Sequence, residues 1–255
     1  MTQPSVKVAP DLDMPLLGFG TWQLPGEQAY EPVRVALATG YRHLDTATMY
    51  RNEAQVGRAL SGSGVPREEV FVTTKLPAER VGRERETITA SLRALGIDRL
   101  DLWLVHWPPN GAARPETWRE FVAAKADGLT RAIGVSNYSI AQIDELIDAT
   151  GEAPVVNQIP YSPALHDPKL LAEHRERGVV VEGYSPFRRS NLREPVFGQI
   201  AQAHGVTAPQ VILRWHLQHE IVVIPKSATP ERIRQNFDVS GFTLTDEEMA
   251  RIDAV

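Results

Sequence analysis

Eight short apolar runs alternate with helical patterns along this chain, and that rhythm constrains the fold more than any other feature. The runs are Leu17–Gly20, Tyr41–Leu44, Val70–Thr74, Leu100–Val105, Thr130–Val135, Val155–Ile159, Gly178–Glu182 and Ile221–Ile224. They recur about every thirty residues, the length of one strand–helix unit. Runs such as "VFVTTK" and "AIGVS" read as strands buried on both faces, as a parallel sheet needs. Between the runs, residues 29–38 place Tyr30, Val33 and Leu37 on one helical face, and residues 84–95 place Ile88, Leu92 and Leu95 on another. "SIAQ" from Ser139, "TAPQ" from Thr207 and "TDEE" from Thr245 fit the capping box, and "NEAQ" from Asn52 is a near relative. Pro230, after Thr229, suits the first position of a helix.

No proline- or glycine-rich linker interrupts the alternation, so residues 1–255 are expected to form one domain. The predicted fold class is α/β: a single (β/α)8 TIM barrel with a short N-terminal hairpin-like segment and a C-terminal helix. The rival is an open doubly wound sheet, which needs a glycine-rich first turn. "GFGTWQ" from Gly18 supplies two glycines, but Gln23 stands where the third should be. "SGSG" at 61–64 follows a helix and reads as its C-terminal cap and loop.

A barrel gathers its chemistry at the C-terminal ends of its strands. Polar residues stand at nearly all of them. Asp45 follows the second run, Lys75 the third, His106 with Trp107 the fourth, and Ser136 with Asn137 the fifth. Gln158 ends the sixth, Tyr184 and Ser185 follow the seventh, and Lys226 and Ser227 follow the eighth. In "YRHLDTATMYRNEAQVGRAL" (41–60), a carboxylate ends the strand and Tyr50 occupies the loop before the next helix. Asp45 and Lys75 on neighbouring strands would share one mouth, where a buried ammonium needs a counter-charge. That ammonium would lower the pKa of a nearby phenol and make Tyr50 a workable proton donor. His106 would hydrogen-bond the substrate oxygen. Taken alone, Asp45–Lys75 reads as a structural ion pair, Tyr50 as a loop-wall aromatic and His106 as a hydrogen-bonded core histidine. Together they form a device for protonating a carbonyl oxygen as charge develops on it.

Composition removes several rivals. The net charge of −5, without a basic stripe, argues against nucleic acid. There is no cysteine, so disulfides, thiolate–metal sites and cysteine catalysis are out. No run approaches a membrane span and the N-terminus has no signal-peptide core, so a cytoplasmic protein without membrane partners is expected. His216 and His219 stand three apart on a helix, but no acidic or histidine ligand clusters with them in sequence; they read as surface or packing residues, and no metal is expected.

The residues "LGFGTWQ" (17–23), "GYRHLDTATMYRNEAQVGRAL" (40–60), "FVTTKL" (71–76), "DLWLVHWP" (101–108), "GLTRAIGVSNY" (128–138), "VVNQI" (155–159), "YSP" (184–186) and "IPKSATPERIRQNFDV" (224–239) resemble the aldo-keto reductase family. The bacterial branch that includes 2,5-diketo-gluconate reductases is the most similar. The resemblance implies NADPH-dependent reduction of aldehydes or ketones, with keto-sugars and diketones among the candidate substrates, and NADH as the weaker cofactor. It assigns catalysis to Asp45, Tyr50, Lys75 and His106, with Tyr50 the general acid. It implies cofactor contacts from Gly20, Thr21, Trp22, Asp45, Ser185 and Pro186, stacking on Tyr184, and carboxamide contacts from Ser136, Asn137 and Gln158. Lys226, Ser227 and Arg232 match 2′-phosphate positions, and Gln235 and Asn236 flank the adenine. Trp22, Met49, Tyr50, His106 and Trp107 would line the pocket for a small carbonyl substrate, in a monomer.

Several segments depart from the family pattern. Gln235 stands where relatives commonly carry glutamate. The segments "PNGAARPETW" and "FRRSNLREP" are short, and "PYSPALHD" (160–167) differs from the family pattern. The sequence ends at Val255, where many relatives continue into a tail over the substrate; an open pocket is therefore expected. Two other functions compete: a non-enzymatic NADPH-binding regulatory or sensor subunit, and a Schiff-base lyase using Lys75.

Overall fold

The computed structural model describes residues 3–188 and 190–255. Met1, Thr2 and Arg189, the last within "FRRSNLREP", lie outside the described residues. The chain opens with an antiparallel hairpin, β1 (Ser5–Ala9) and β2 (Leu12–Pro15). Arg131, at the start of a barrel strand, donates to Asp11 O at 2.7 Å, so the hairpin lies across the N-terminal end of the barrel. Leu12 and Met14 are buried there.

The remaining strands are parallel. They are β3 (Phe19–Gly20), β4 (His43–Asp45), β5 (Phe71–Leu76), β6 (Leu100–Val105), β7 (Thr130–Ser136), β8 (Val156–Pro160), β9 (Val180–Tyr184) and β10 (Val222–Val223), paired in chain order. The curled sheet closes where β10 meets β3, through Gly18 N to Val223 O at 2.9 Å and Val223 N to Leu16 O at 2.7 Å. All eight predicted runs are therefore barrel strands, with ends displaced by a residue or two.

Ten α-helices cover the described chain: α1 (Tyr30–Thr39), α2 (Glu53–Ser61), α3 (Glu84–Leu95), α4 (Pro115–Ala126), α5 (Ile140–Thr150), α6 (Pro168–Glu176), α7 (Pro195–His204), α8 (Ala208–Gln218), α9 (Pro230–Phe237) and α10 (Asp246–Asp253). The predicted faces are the buried ones: Val33 and Leu37 on α1, and Ile88, Leu92 and Leu95 on α3. The capping boxes at Ser139 and Thr245 form, and at Thr207 the Gln210 amide oxygen accepts from the threonine N–H at 3.0 Å. Asn52 is a correction. It stands at the start of α2, but its side chain bonds Thr46, Thr21 O and Leu24 O and does not cap the helix. Tying the loops after β3 and β4 together satisfies its amide more fully than one helical N–H would.

Helices dock on the strands through large apolar contacts. Trp103 of β6 stacks on Phe121 of α4 with ring centroids 3.7 Å apart and planes within 4°. Gly57 of α2 meets the end of α3 so closely that a Cβ would lie 2.1 Å from Leu95 O. No side chain fits that crossing.

Candidate active site

At the C-terminal ends of the strands lies a cleft of about 530 Å³. Its floor is built from β4 and β5. Lys75 is fully buried, and its Nζ donates to Asp45 Oδ1 (2.6 Å), Asp45 Oδ2 (2.7 Å) and Thr46 O (2.8 Å), so all three N–H groups are used. Burial pulls the Lys75 pKa down, but Asp45, with Tyr50 and Glu182, outweighs it and holds the ammonium above the ordinary lysine value. Lys75 does not itself line the cleft; Asp45 and Tyr50 stand in front of it.

Tyr50 is carried on a single helical turn between β4 and α2, and its ring centroid lies 5.2 Å from Lys75 Nζ. It packs edge-on against His106 at 5.7 Å and lies tilted against Trp22 at 5.0 Å. Lys75 does pull the phenol pKa down, as expected, but burial raises it by more, so the net shift is upward. Tyr50 therefore holds its proton at neutral pH. Burial, then Lys75, depress His106 to about 3, so its imidazole is neutral, and its Nδ1 has no hydrogen-bond partner among the described residues.

A second wall comes from β7, β8 and β9. Gln158 Nε2 donates to Asp45 Oδ2 at 2.8 Å, Ser136 Oγ to Gln158 O at 2.8 Å, and Asn137 Nδ2 to Ser136 Oγ at 2.9 Å. Tyr184 Oη donates to Asn137 Oδ1 at 2.9 Å. Asn137 (φ 64°) and Ser185 (φ 56°) hold the left-handed backbone that non-glycine residues rarely adopt. Pro186 and Lys226 continue this wall, and Gly20 and Trp22 face it. Gly20 is required: a Cβ there would lie 2.9 Å from Ile224 O.

Met49 and Trp107 complete the mouth. The remaining predicted positions lie outside the cleft lining. Thr21 is buried, its hydroxyl on Asp45 O at 3.0 Å. Ser227 Oγ accepts from Thr229 N at 3.0 Å just before α9, Asn236 is buried, and Arg232 and Gln235 are exposed on α9. Lys226 and Arg232 make no ion pair among the described residues. Sequence reasoning did not single out Gln23, Phe187, Arg188 and Ile224, which also line the cleft.

It also passed over Glu182, beneath the floor on β9. Glu182 is fully buried, neither carboxyl oxygen has a hydrogen-bond partner among the described residues, and His43 Nε2 is 3.7 Å away. An acid inside the apolar run "VVVEGY" is the signal that would have found it. Burial, then the charge of Asp45, push its pKa up to about 8. The folded chain thus binds this proton more tightly than the unfolded chain, whose carboxyl titrates near 4.5. The stability tied to that proton is intact below about pH 4.5 and is lost as pH rises through about 8. Glu182→Gln removes the titration. Its Tm should gain on the wild type between those limits, by roughly 5 °C or more. Tm–pH curves that run parallel would show that Glu182 does not titrate there.

Comparison with known proteins places this geometry. Residues 16–255 match the aldo/keto reductase family. Morphine 6-dehydrogenase from Pseudomonas putida is 43% identical over 267 residues, covering 98% of this chain and 90% of that one. The crystal structure of an aldo/keto reductase from Brucella melitensis superposes with a TM-score of 0.96 at 40% identity, covering 100% of this chain and 98% of the other. A mutant of Gox0644 in complex with NADPH gives a TM-score of 0.94 at 36% identity, covering 100% and 94%. The chain belongs to the aldo/keto reductase family.

Proposed function

We propose that the cleft reduces the carbonyl group of an aldehyde or ketone, with NADPH as cofactor and Tyr50 as the proton donor. The observation that carries this reading is the Asp45–Lys75 pair, fully saturated and buried, set behind a phenol that opens to the cleft. Tyr50 gives its proton to the carbonyl oxygen as the C–O bond gains charge. The O–H bond of the phenol breaks, a new O–H bond forms on the product alcohol, and the phenolate left behind is stabilised by Lys75. Asp45 keeps Lys75 charged and in place. His106, being neutral, offers one N–H to the carbonyl oxygen and fixes its angle toward Tyr50.

The donor set of the cleft fits a nicotinamide dinucleotide. Tyr184 supplies an aromatic face, and Ser136, Asn137 and Gln158 form a polar edge beside it. Gly20, Trp22, Ser185 and Pro186 border the path toward Lys226, with Thr21 behind them. Lys226, Ser227 and Arg232 suit a phosphate near the start of α9, and Gln235 and Asn236 suit the adenine. Bound reduced nicotinamide supplies the hydride; the chain supplies orientation and the proton. The Schiff-base alternative fares poorly because Asp45 holds Lys75 protonated and all of its N–H groups are engaged.

The pocket walls Trp22, Met49 and Trp107 are 48%, 45% and 49% exposed. Walls this open enclose a small aldehyde poorly. In steady-state NADPH oxidation across aldehydes of rising chain length, KM should fall with each methylene, by up to roughly fourfold, and bulky carbonyls should be accepted. Lowest KM for the smallest members, with bulky ones refused, would mean that the mouth closes on its substrate. Tight NADPH binding with no turnover on any aldehyde or ketone would favour the sensor reading.

A further inference from the structure

Outside the cleft, three elements far apart in sequence bring a second polar group together. His166 lies in the loop between β8 and α6, His219 directly follows α8, and Asp253 ends α10. One possible ligand atom from each lies within 4.8 Å of the other two. Asp253 Oδ1 is 2.9 Å from His219 Nε2 and 3.7 Å from His166 Nε2. None of the three lines the cleft.

We propose that His166, His219 and Asp253 form a site for a divalent transition metal of the Zn²⁺ class, which ties the end of α10 to α8 and to the loop after β8.

The donor chemistry selects the metal. Two imidazoles and one carboxylate suit Zn²⁺ and its neighbours, whereas Ca²⁺ and Mg²⁺ want oxygen ligands throughout. Around a tetrahedral Zn²⁺ bonded at ~2.0–2.1 Å, ligand atoms stand roughly 3.3 Å apart. The 2.9 and 3.7 Å separations lie on either side of that value, so small side-chain rotations complete the geometry.

A shell of outer contacts already holds the ligands, as metal-binding histidines and carboxylates require. Tyr161 Oη, buried, is 3.1 Å from His166 Nδ1 and leaves Nε2 facing Asp253. Trp215 Nε1, also buried, donates to Asp253 Oδ1 at 2.7 Å. Hydrogen bonding alone explains the cluster incompletely. Trp215 and His219 satisfy Oδ1, while His166 Nε2 and Asp253 Oδ2 have no hydrogen bond among the described residues. A cation at Asp253 Oδ1, in place of the His219 hydrogen, would give His166 Nε2 its partner. The His219 and Asp253 side chains are 22% and 31% exposed, which gives an ion a way in from solvent.

The test uses the full untagged chain, stripped with chelator and titrated with Zn²⁺ by calorimetry, and separately with Co²⁺ for its visible absorption. One Zn²⁺ per chain should bind, and Co²⁺ should show the intense bands of a four-coordinate ion. His219→Ala and Asp253→Asn should each weaken Zn²⁺ binding by roughly 10–100-fold or more. His204→Ala, which removes a histidine paired elsewhere with Glu248, should change nothing. At about a hundredfold excess over Kd, Zn²⁺ should raise the Tm of the wild type by roughly 5–10 °C. His166→Gln, with circular dichroism showing an intact fold, guards against a variant that merely unfolds. No Zn²⁺ uptake by the wild type at about 100 μM overturns the proposal. So does one Zn²⁺ bound with equal strength by the wild type, His219→Ala and Asp253→Asn.

Discussion

Tyr50→Phe should bind NADPH as the wild type does and lose roughly 10²–10⁴-fold in turnover, the effect of removing a positioned acid. The substitution deletes one hydroxyl and almost no volume, so the ring contacts with Trp22 at 5.0 Å and His106 at 5.7 Å persist. Lys75 keeps its three bonds to Asp45 and Thr46, and the floor of the cleft stays built. What disappears is the proton that burial holds on the phenol at neutral pH. Cofactor titration should therefore separate cleanly from catalysis. Near-normal single-turnover rates on an aldehyde would remove Tyr50 from the role of acid and turn attention to His106. His106 is a weak candidate, since an imidazole depressed to about 3 carries no surplus proton near pH 7.

The double variant Lys226→Ala/Arg232→Ala should weaken NADPH by roughly 10²-fold and leave NADH within a few-fold of the wild type. Charge-assisted bonds to a phosphate contribute about 1.5–3 kcal/mol each. Both cations are exposed, so solvent screening puts the effect at the low end of that range. Neither is tied to an acid among the described residues, so no ion pair must break before a phosphate binds. Ser227 differs, because its hydroxyl already serves the turn into α9 through Thr229. Fluorescence titration with both cofactors decides the matter. Equal losses for NADPH and NADH would mean that these cations do not read a 2′-phosphate.

The barrel was legible because parallel strands leave a coarse signal: apolar runs at a fixed spacing, with capping residues between them. Ser139 and Thr245 announced their helices correctly because a capping box is a local bargain between residues three apart. Asn52 misled for the opposite reason. Its partners, Thr21, Thr46 and Leu24, are supplied by the tertiary fold. The polar strand ends were readable as candidates, and most of them line one cleft. Electrostatics was less readable. The sign of the Tyr50 shift depends on how deeply the ring is buried, which no spacing reveals. Glu182 left a trace, an acid inside the apolar run "VVVEGY", whereas the His166–His219–Asp253 group is assembled only by the tertiary fold. "PYSPALHD" had no reading from sequence. In the fold, Asp167 caps α6 through Lys169 N and Leu170 N, and His166 turns toward α8 and α10.

The closure between β3 and β10 gives the barrel a buckle. The two strands that meet there are two residues long, whereas β6 and β7 on the far side have six and seven. Three backbone bonds hold the hoop shut there, Gly18 N to Val223 O, Val223 N to Leu16 O and Gly20 N to Pro225 O. The cleft straddles this buckle, with Gly20 and Trp22 on one strap and Ile224 and Lys226 on the other. A long ligand that grips both straps fastens the hoop by its own binding energy, because anything that binds only the closed form shifts the balance toward it. Occupancy of the cleft by such a ligand and closure of the barrel would therefore draw on one shared free energy.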